Sequence, residues 1–145
     1  MKIKTKDFGE MEITKDEILH FPHGLFAFEE VTRFVLIEKD GCTQKWLQSA
    51  EEENPRFIIF DPADIIEGYH PNIPLETFQE LKIDPADPFS LYVIAVVPAN
   101  IKDMTVNLKS PLLINPQKQL GAQIILEKED FPVRCRVFQE DGGDF

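Results

Sequence analysis

The sequence has little of what secreted, membrane-spanning, nucleic-acid-binding and most catalytic chains are built from. Two cysteines, Cys42 and Cys135, occur in 145 residues. That is too few for a disulfide framework, and reduced thiols in the cytoplasm are expected. No N-terminal apolar segment resembles a signal peptide. The longest apolar stretch, "LYVIAVV" at 91–97, is strand-sized and far short of the ~20 residues a spanning helix needs. Glycine-rich phosphate loops are missing, and Ser49 and Ser90 lack the context of a nucleophile elbow. Basic charge is also scarce: 15 Lys and Arg stand against 26 Asp and Glu, a net charge of -11. Such a surface repels phosphate backbones. The densest basic feature, Lys2, Lys4 and Lys6, merely alternates on one side of an expected strand, so direct nucleic-acid binding is not expected. The acidity has two readings, solubility and attraction of a basic protein partner.

What is present is β pattern. Hydrophobic content of 43% and charged content of 28% are those of an ordinary globular chain. "MKIKT" and "EMEIT" alternate, with Ile3, Met11 and Ile13 facing inward. "FVLIE" at 34–38, the turn pair Asp40-Gly41 and "QKWLQSA" read as a hairpin. "RFIIF" at 56–60 is a buried strand closed by Asp61-Pro62. "FSLYVIAVVPA", "MTVNL", "PLLIN", "LGAQIILE" and "FPVRCRVF" complete the strands, the last with Val133, Cys135 and Val137 on one face. In "NIPLETFQELKI", Pro74 opens the one convincing helix, and Leu75, Phe78 and Leu81 recur along it. The pattern predicts a mainly β fold, a small antiparallel β-barrel-like domain with one short helix, over residues 1–138. Ile58, Phe60, Val93, Ile94 and Ile125 are expected in its core. Residues 139–145, "QEDGGDF", read as an acidic, disordered tail.

Candidates for chemistry are thin. "HFPHG" sets His20 and His23 three residues apart, a spacing that can serve a metal, but Pro22 keeps them off a regular helix face and His70 lies elsewhere. A barrel enzyme or small-ligand or metal-binding protein using the His20 and His23 loop is the alternative reading; an ordinary loop is the plainer one. Cys42 sits beside the hairpin turn without a local base motif. "DPAD" at 61–64 and again at 84–87 pairs carboxylates, yet Asp before Pro starts turns without any chemistry.

Candidates for recognition are stronger. "FPHGLFAFEE" at 21–30 carries Phe21, Phe26 and Phe28, which serve either the core or a protein-binding groove. "QSAEEENP" at 48–55 places Glu51, Glu52 and Glu53 in a loop, either solvated or contacting basic side chains. "TVNLKSPLLIN" at 105–115 carries an asparagine on each arm. Asn115 precedes Pro116 and reads as turn chemistry. Asn107 is mid-strand, free to bond a neighbouring bulge or a partner's backbone.

These stretches resemble the flagellar assembly factor FliW family, in order, across about residues 1–138. The "Phe-Pro-x-Gly-Leu-x-x-Phe" segment falls on Phe21, Pro22, Gly24, Leu25 and Phe28. The "Thr-Val-Asn-Leu-x-x-Pro-x-x-x-Asn" segment falls on Thr105, Val106, Asn107, Leu108, Pro111 and Asn115, and a later glutamine is Gln123. The resemblance implies a small β-barrel-like fold without catalytic activity, cofactor, metal or small-molecule substrate. It implies two partners, flagellin and the RNA-binding translational regulator CsrA. Family members antagonise CsrA repression of flagellin messenger RNA, acting away from the RNA-contacting surface, and free flagellin titrates the factor away. On this reading the partner-binding residues are expected among Phe21, Gly24, Leu25, Phe28, Glu51, Glu52, Glu53 and Asn107.

Overall fold

The computed structural model describes residues 1–138; the acidic tail, whose disorder was the expectation, lies outside the described residues. The chain begins with a hairpin of β1 (Lys2–Thr5) and β2 (Gly9–Glu12). Then come β3 (Ile18–His20), β4 (Arg33–Ile37), β5 (Lys45–Ser49) and β6 (Arg56–Phe60). A short helix, α1 (Leu75–Glu80), precedes β7 (Ser90–Val96). The last strands are β8 (Thr105–Val106), β9 (Leu112–Asn115), β10 (Leu120–Gln123) and β11 (Cys135–Arg136).

Seven of these strands close a barrel in the order β3-β4-β5-β6-β7-β9-β10 and back to β3. Every neighbouring pair in it is antiparallel except the closure, where Leu120 of β10 meets His20 of β3 in parallel. Closure removes the strand edges that would otherwise invite pairing with other chains.

Side-chain alternation then sorts the apolar residues into two faces. Leu19, Phe34, Leu47, Ile59, Tyr92, Leu112 and Ile114 come from six different strands yet form one cluster, which only the barrel interior allows. β10 contributes Gly121 to this interior. A methyl group there would lie 2.5 Å from the Phe21 ring, so the fully buried Phe21 fills the space the glycine leaves. The opposite face of β4 to β7 carries Val35, Ile37, Trp46, Ile58, Phe60 and Val93. It is covered by Ile3 and Ile13 of the N-terminal segment and by Met104, Val106 and Leu108. A third cluster seats Leu81 and Ile83, just beyond α1, on Leu113 of β9. Full burial of each such side chain contributes about 1.5–3 kcal/mol.

The sequence reading is corrected in a few places. Ile125, expected in the core, is 47% exposed. β10 stops at Gln123, and the amides of Ile124 and Leu126 bond Pro111 and Lys109. The alternation therefore turns Leu126 inward and Ile125 outward. Ile94 is half-buried at the margin of the interior cluster. Helix α1 has only six residues, with Pro74 as its N-cap, and its first turn leaves Leu75 exposed. The strand expected over "FPVRCRVF" shrinks to Cys135 and Arg136, because its partner β8 offers only two residues, and Val133 is exposed.

Candidate functional site

The segment joining β3 to β4 is folded into successive tight turns. The Phe21 amide donates to Thr32 O (2.8 Å), Gly24 N to Phe21 O (2.8 Å), Phe28 N to Leu25 O (2.7 Å) and Val31 N to Phe28 O (3.1 Å). Gly24 has φ +64, and an added Cβ would lie 2.5 Å from the Phe28 carbonyl oxygen. Glycine is therefore required both by the left-handed backbone and by the close approach. Ala27 sits at φ 73 at the tip of the Leu25–Phe28 turn.

This folding splits the aromatic and aliphatic residues of the loop into two sets. Phe21 and Leu25 are buried at 0% and 1% and pack inside the barrel, while Phe26 and Phe28 are 45% and 39% exposed. The two sets are joined by edge-to-face rings: Phe21 to Phe34 at 5.4 Å, and Phe28 to Phe57 at 5.4 Å, with Phe34 and Phe57 tilted at 6.2 Å. Of the expected contact residues, Phe21, Gly24 and Leu25 are thus shapers of the loop that offer no surface. Phe28, with Phe26, is what the loop displays.

The two most recognisable stretches of the sequence meet at Gln123. Its Oε1 accepts the Phe26 amide (2.9 Å), and its Nε2 donates to the Ser110 carbonyl (3.3 Å). Asn107 holds the other side of that contact. Its Oδ1 accepts the amides of Lys109 (2.9 Å) and Ser110 (3.1 Å), closing a turn immediately after β8, while its own amide donates to Ile94 O. The mid-strand position read from the sequence is corrected: β8 ends at Val106, and Asn107 is the residue that turns the chain. Asn115 acts in the same way elsewhere. Buried at the end of β9, it accepts the amides of Gln117 and Lys118 and donates to the carbonyls of Leu81 and Lys82 beyond α1.

The β5–β6 turn stands at the same end of the barrel as the aromatic loop. The Ala50 amide donates to Arg33 O, just after that loop, and Arg33 Nε lies 3.7 Å from a Glu51 carboxylate oxygen. Buried Gln48 organises the turn: its Oε1 accepts the Lys6 amide and its Nε2 donates to the carbonyls of Glu52 and Glu53. Ser49 Oγ accepts the amides of Glu51 and Glu52. Glu51, Glu52 and Glu53 are exposed, as are Glu29 and Glu30.

His23 Nε2 lies 2.5 Å from a Glu80 carboxylate of α1, both groups exposed. Among the described residues no group of three or more His, Cys, Asp or Glu side chains is placed to hold a metal ion. A surface recess of about 580 Å³ is lined in part by Asp61, Glu67, Tyr69, His70 and Tyr92. The Tyr69 hydroxyl donates to Leu108 O (2.5 Å), and burial, then the Glu129 charge, pushes its pKa up, away from use as a base. Burial likewise raises the Cys135 thiol, the wrong direction for a nucleophile. No helix among the described residues is long and apolar enough to cross a membrane.

Sequence reasoning found the aromatic loop, the glutamates, Asn107 and Gln123 as separate stretches. It missed Phe57, hidden in the uniformly apolar "RFIIF", and the organising role of Gln48. Comparison with known proteins joins these stretches into one pattern. The family model described as FliW protein matches residues 2–137. A flagellar assembly factor FliW of Caldicellulosiruptor bescii is 34% identical over 98% of this chain and 93% of its own length. Those of Natranaerobius thermophilus and Moorella thermoacetica are each 35% identical, over 98% and 99% of this chain and 95% and 92% of their own. A crystal structure of the flagellar assembly factor FliW superposes with a TM-score of 0.92 at 32% identity, covering 97% of this chain and 99% of that one.

Proposed function

This chain belongs to the FliW family of flagellar assembly factors, and from that premise we propose that it works by binding proteins and not by catalysis, in the cytoplasm. Its partners are the translational regulator CsrA and flagellin. Binding CsrA relieves repression of flagellin messenger RNA, and flagellin, by occupying the factor, restores it. The chain does not touch RNA itself, in keeping with its net charge of -11.

The observation that carries the reading is the display of Phe26 and Phe28 on a fixed turn at one end of the barrel. Glu29 and Glu30 follow them in the chain, and the β5–β6 turn at the same end carries Glu51, Glu52 and Glu53, all exposed. An apolar knob at an end of the barrel that also carries exposed carboxylates suits a partner surface with an apolar recess and basic groups near it. The aromatics supply burial, and the carboxylates supply steering and selection.

The test replaces the knob. Phe28→Asp removes a ring that is 39% exposed and meets Phe57 edge-to-face at the margin of the interior cluster, and urea unfolding of the variant checks that the barrel is retained. Loss of a central aromatic anchor costs at least ~2 kcal/mol of binding, about 30-fold in affinity. Calorimetric titration against purified CsrA and purified flagellin is expected to show that loss for at least one partner. Parental affinity for both would place the interface elsewhere.

A further inference from the structure

We infer that Gln123 is the positioning residue that holds the Phe26–Phe28 turn in its binding-ready shape. The inference rests on the reading that this turn is the partner-binding element. Three of the turn's four residues carry its exposed tip, and Ala27 is left-handed there, φ 73. A non-glycine residue keeps such a conformation only when its surroundings hold it. Within the loop, Phe28 N bonds Leu25 O and Ala27 N bonds a Glu29 carboxylate oxygen; both bonds travel with the loop. Besides the contact of the Phe28 ring with Phe57, the tip is tied to the barrel by the hydrogen bond from Phe26 N to Gln123 Oε1, across 97 residues of sequence.

The amide is suited to this task at both ends. Its oxygen accepts from the loop while its nitrogen donates to Ser110 O. Ser110 is itself held by the Asn107 cap on its amide. Glutamate keeps the acceptor but loses the donor and sets a carboxylate against a carbonyl. Leucine keeps neither function. Asparagine, one methylene shorter, does not span both contacts. The turn is thereby ordered before a partner arrives, and the cost of ordering it is not charged to binding. When only a fraction of molecules holds the competent shape, apparent affinity falls by that fraction.

The experiment measures the two consequences separately on the full chain. Amide hydrogen exchange on the free protein reads the clamp, and titration with purified CsrA and purified flagellin reads its effect. Gln123→Leu is expected to speed exchange at Phe26 while β5 and β6 amides keep theirs, and to weaken binding about tenfold, the affinity loss tracking the fraction of ordered turn. Gln123→Glu is expected between the parent and Gln123→Leu in both readouts, and it serves alone if the leucine variant does not fold. Unchanged Phe26 exchange overturns the clamp. Faster exchange with parental affinity for both partners overturns its role in binding while leaving the knob intact, provided Phe28→Asp still weakens binding to at least one partner. If the parent chain binds neither protein, the reading of the turn as the binding element fails, and the positioning role falls with it.

Discussion

Substituting Gly24 by alanine tests whether the aromatic loop has only one way to fold. Two independent penalties apply. The backbone at Gly24 has φ +64, a left-handed conformation that costs an L-residue about 1–2 kcal/mol. The new methyl group also meets backbone, with Phe28 O at 2.5 Å, Glu29 Cα at 2.6 Å and Glu29 C at 2.7 Å. No side chain can swing aside to relieve those contacts, so the 28–29 segment must move, at a further cost of about 1–3 kcal/mol. The sum, about 2–5 kcal/mol, is bounded above by the loop's ability to detach, because local opening caps the loss at the free energy that holds the loop down. Urea denaturation followed by Trp46 fluorescence reads the global part. Exchange at Phe26 and Phe28 reads the local part. Either the midpoint falls or the loop amides lose protection, and affinity for CsrA or flagellin falls with it. A Gly24→Ala protein with parental midpoint, exchange and affinities would refute the account of why glycine stands at this position.

Three further perturbations probe the rest of the structure. Asn107→Ala strips the acceptor from the Lys109 and Ser110 amides and is expected to cost about 1–3 kcal/mol in urea unfolding; an unchanged midpoint would mean that water replaces the cap at no cost. Gly121→Ala drives a methyl into the Phe21 ring and is expected to cost about 1–3 kcal/mol. Much of that loss should return in the Gly121→Ala, Phe21→Leu double variant, and strict additivity would show that the two sites do not share the interior space. Replacing Glu51, Glu52 and Glu53 together by Gln is expected to slow association with CsrA and flatten its salt dependence, screening acting over about 8–10 Å. An unchanged association rate in stopped flow would place the contact elsewhere.

Much of the fold was legible because strands with one covered face alternate. Ile3 and Ile13 were readable as inward, and Asp40-Gly41 marked the hairpin between β4 and β5. Strands covered on both faces carry no such signal. In β9, Leu112 and Ile114 enter the barrel while Leu113 packs beneath the segment after α1, yet all three look alike in sequence. Ile125 was misplaced for a related reason: an apolar run continues past the end of β10, and nothing local marks where pairing passes to 109–111. The closure of β3 on β10 and the bond from Phe26 to Gln123 join residues about a hundred positions apart, beyond the reach of periodicity. The candidate site was therefore visible as pieces. The fold supplies their relation: Phe21, Gly24 and Leu25 shape, Phe26 and Phe28 display, and Asn107 and Gln123 hold.

The central claim, that this chain displaces RNA indirectly by binding its regulator, is tested most directly in a mixture of purified components. A flagellin leader RNA bound to CsrA is titrated with the chain, then with flagellin, and the bound RNA is followed by gel mobility. The account predicts that the chain releases the RNA without binding it, that flagellin restores the CsrA–RNA complex, and that Phe28→Asp is impaired in at least one of the two steps. RNA that stays on CsrA at saturating concentrations of the chain would contradict it.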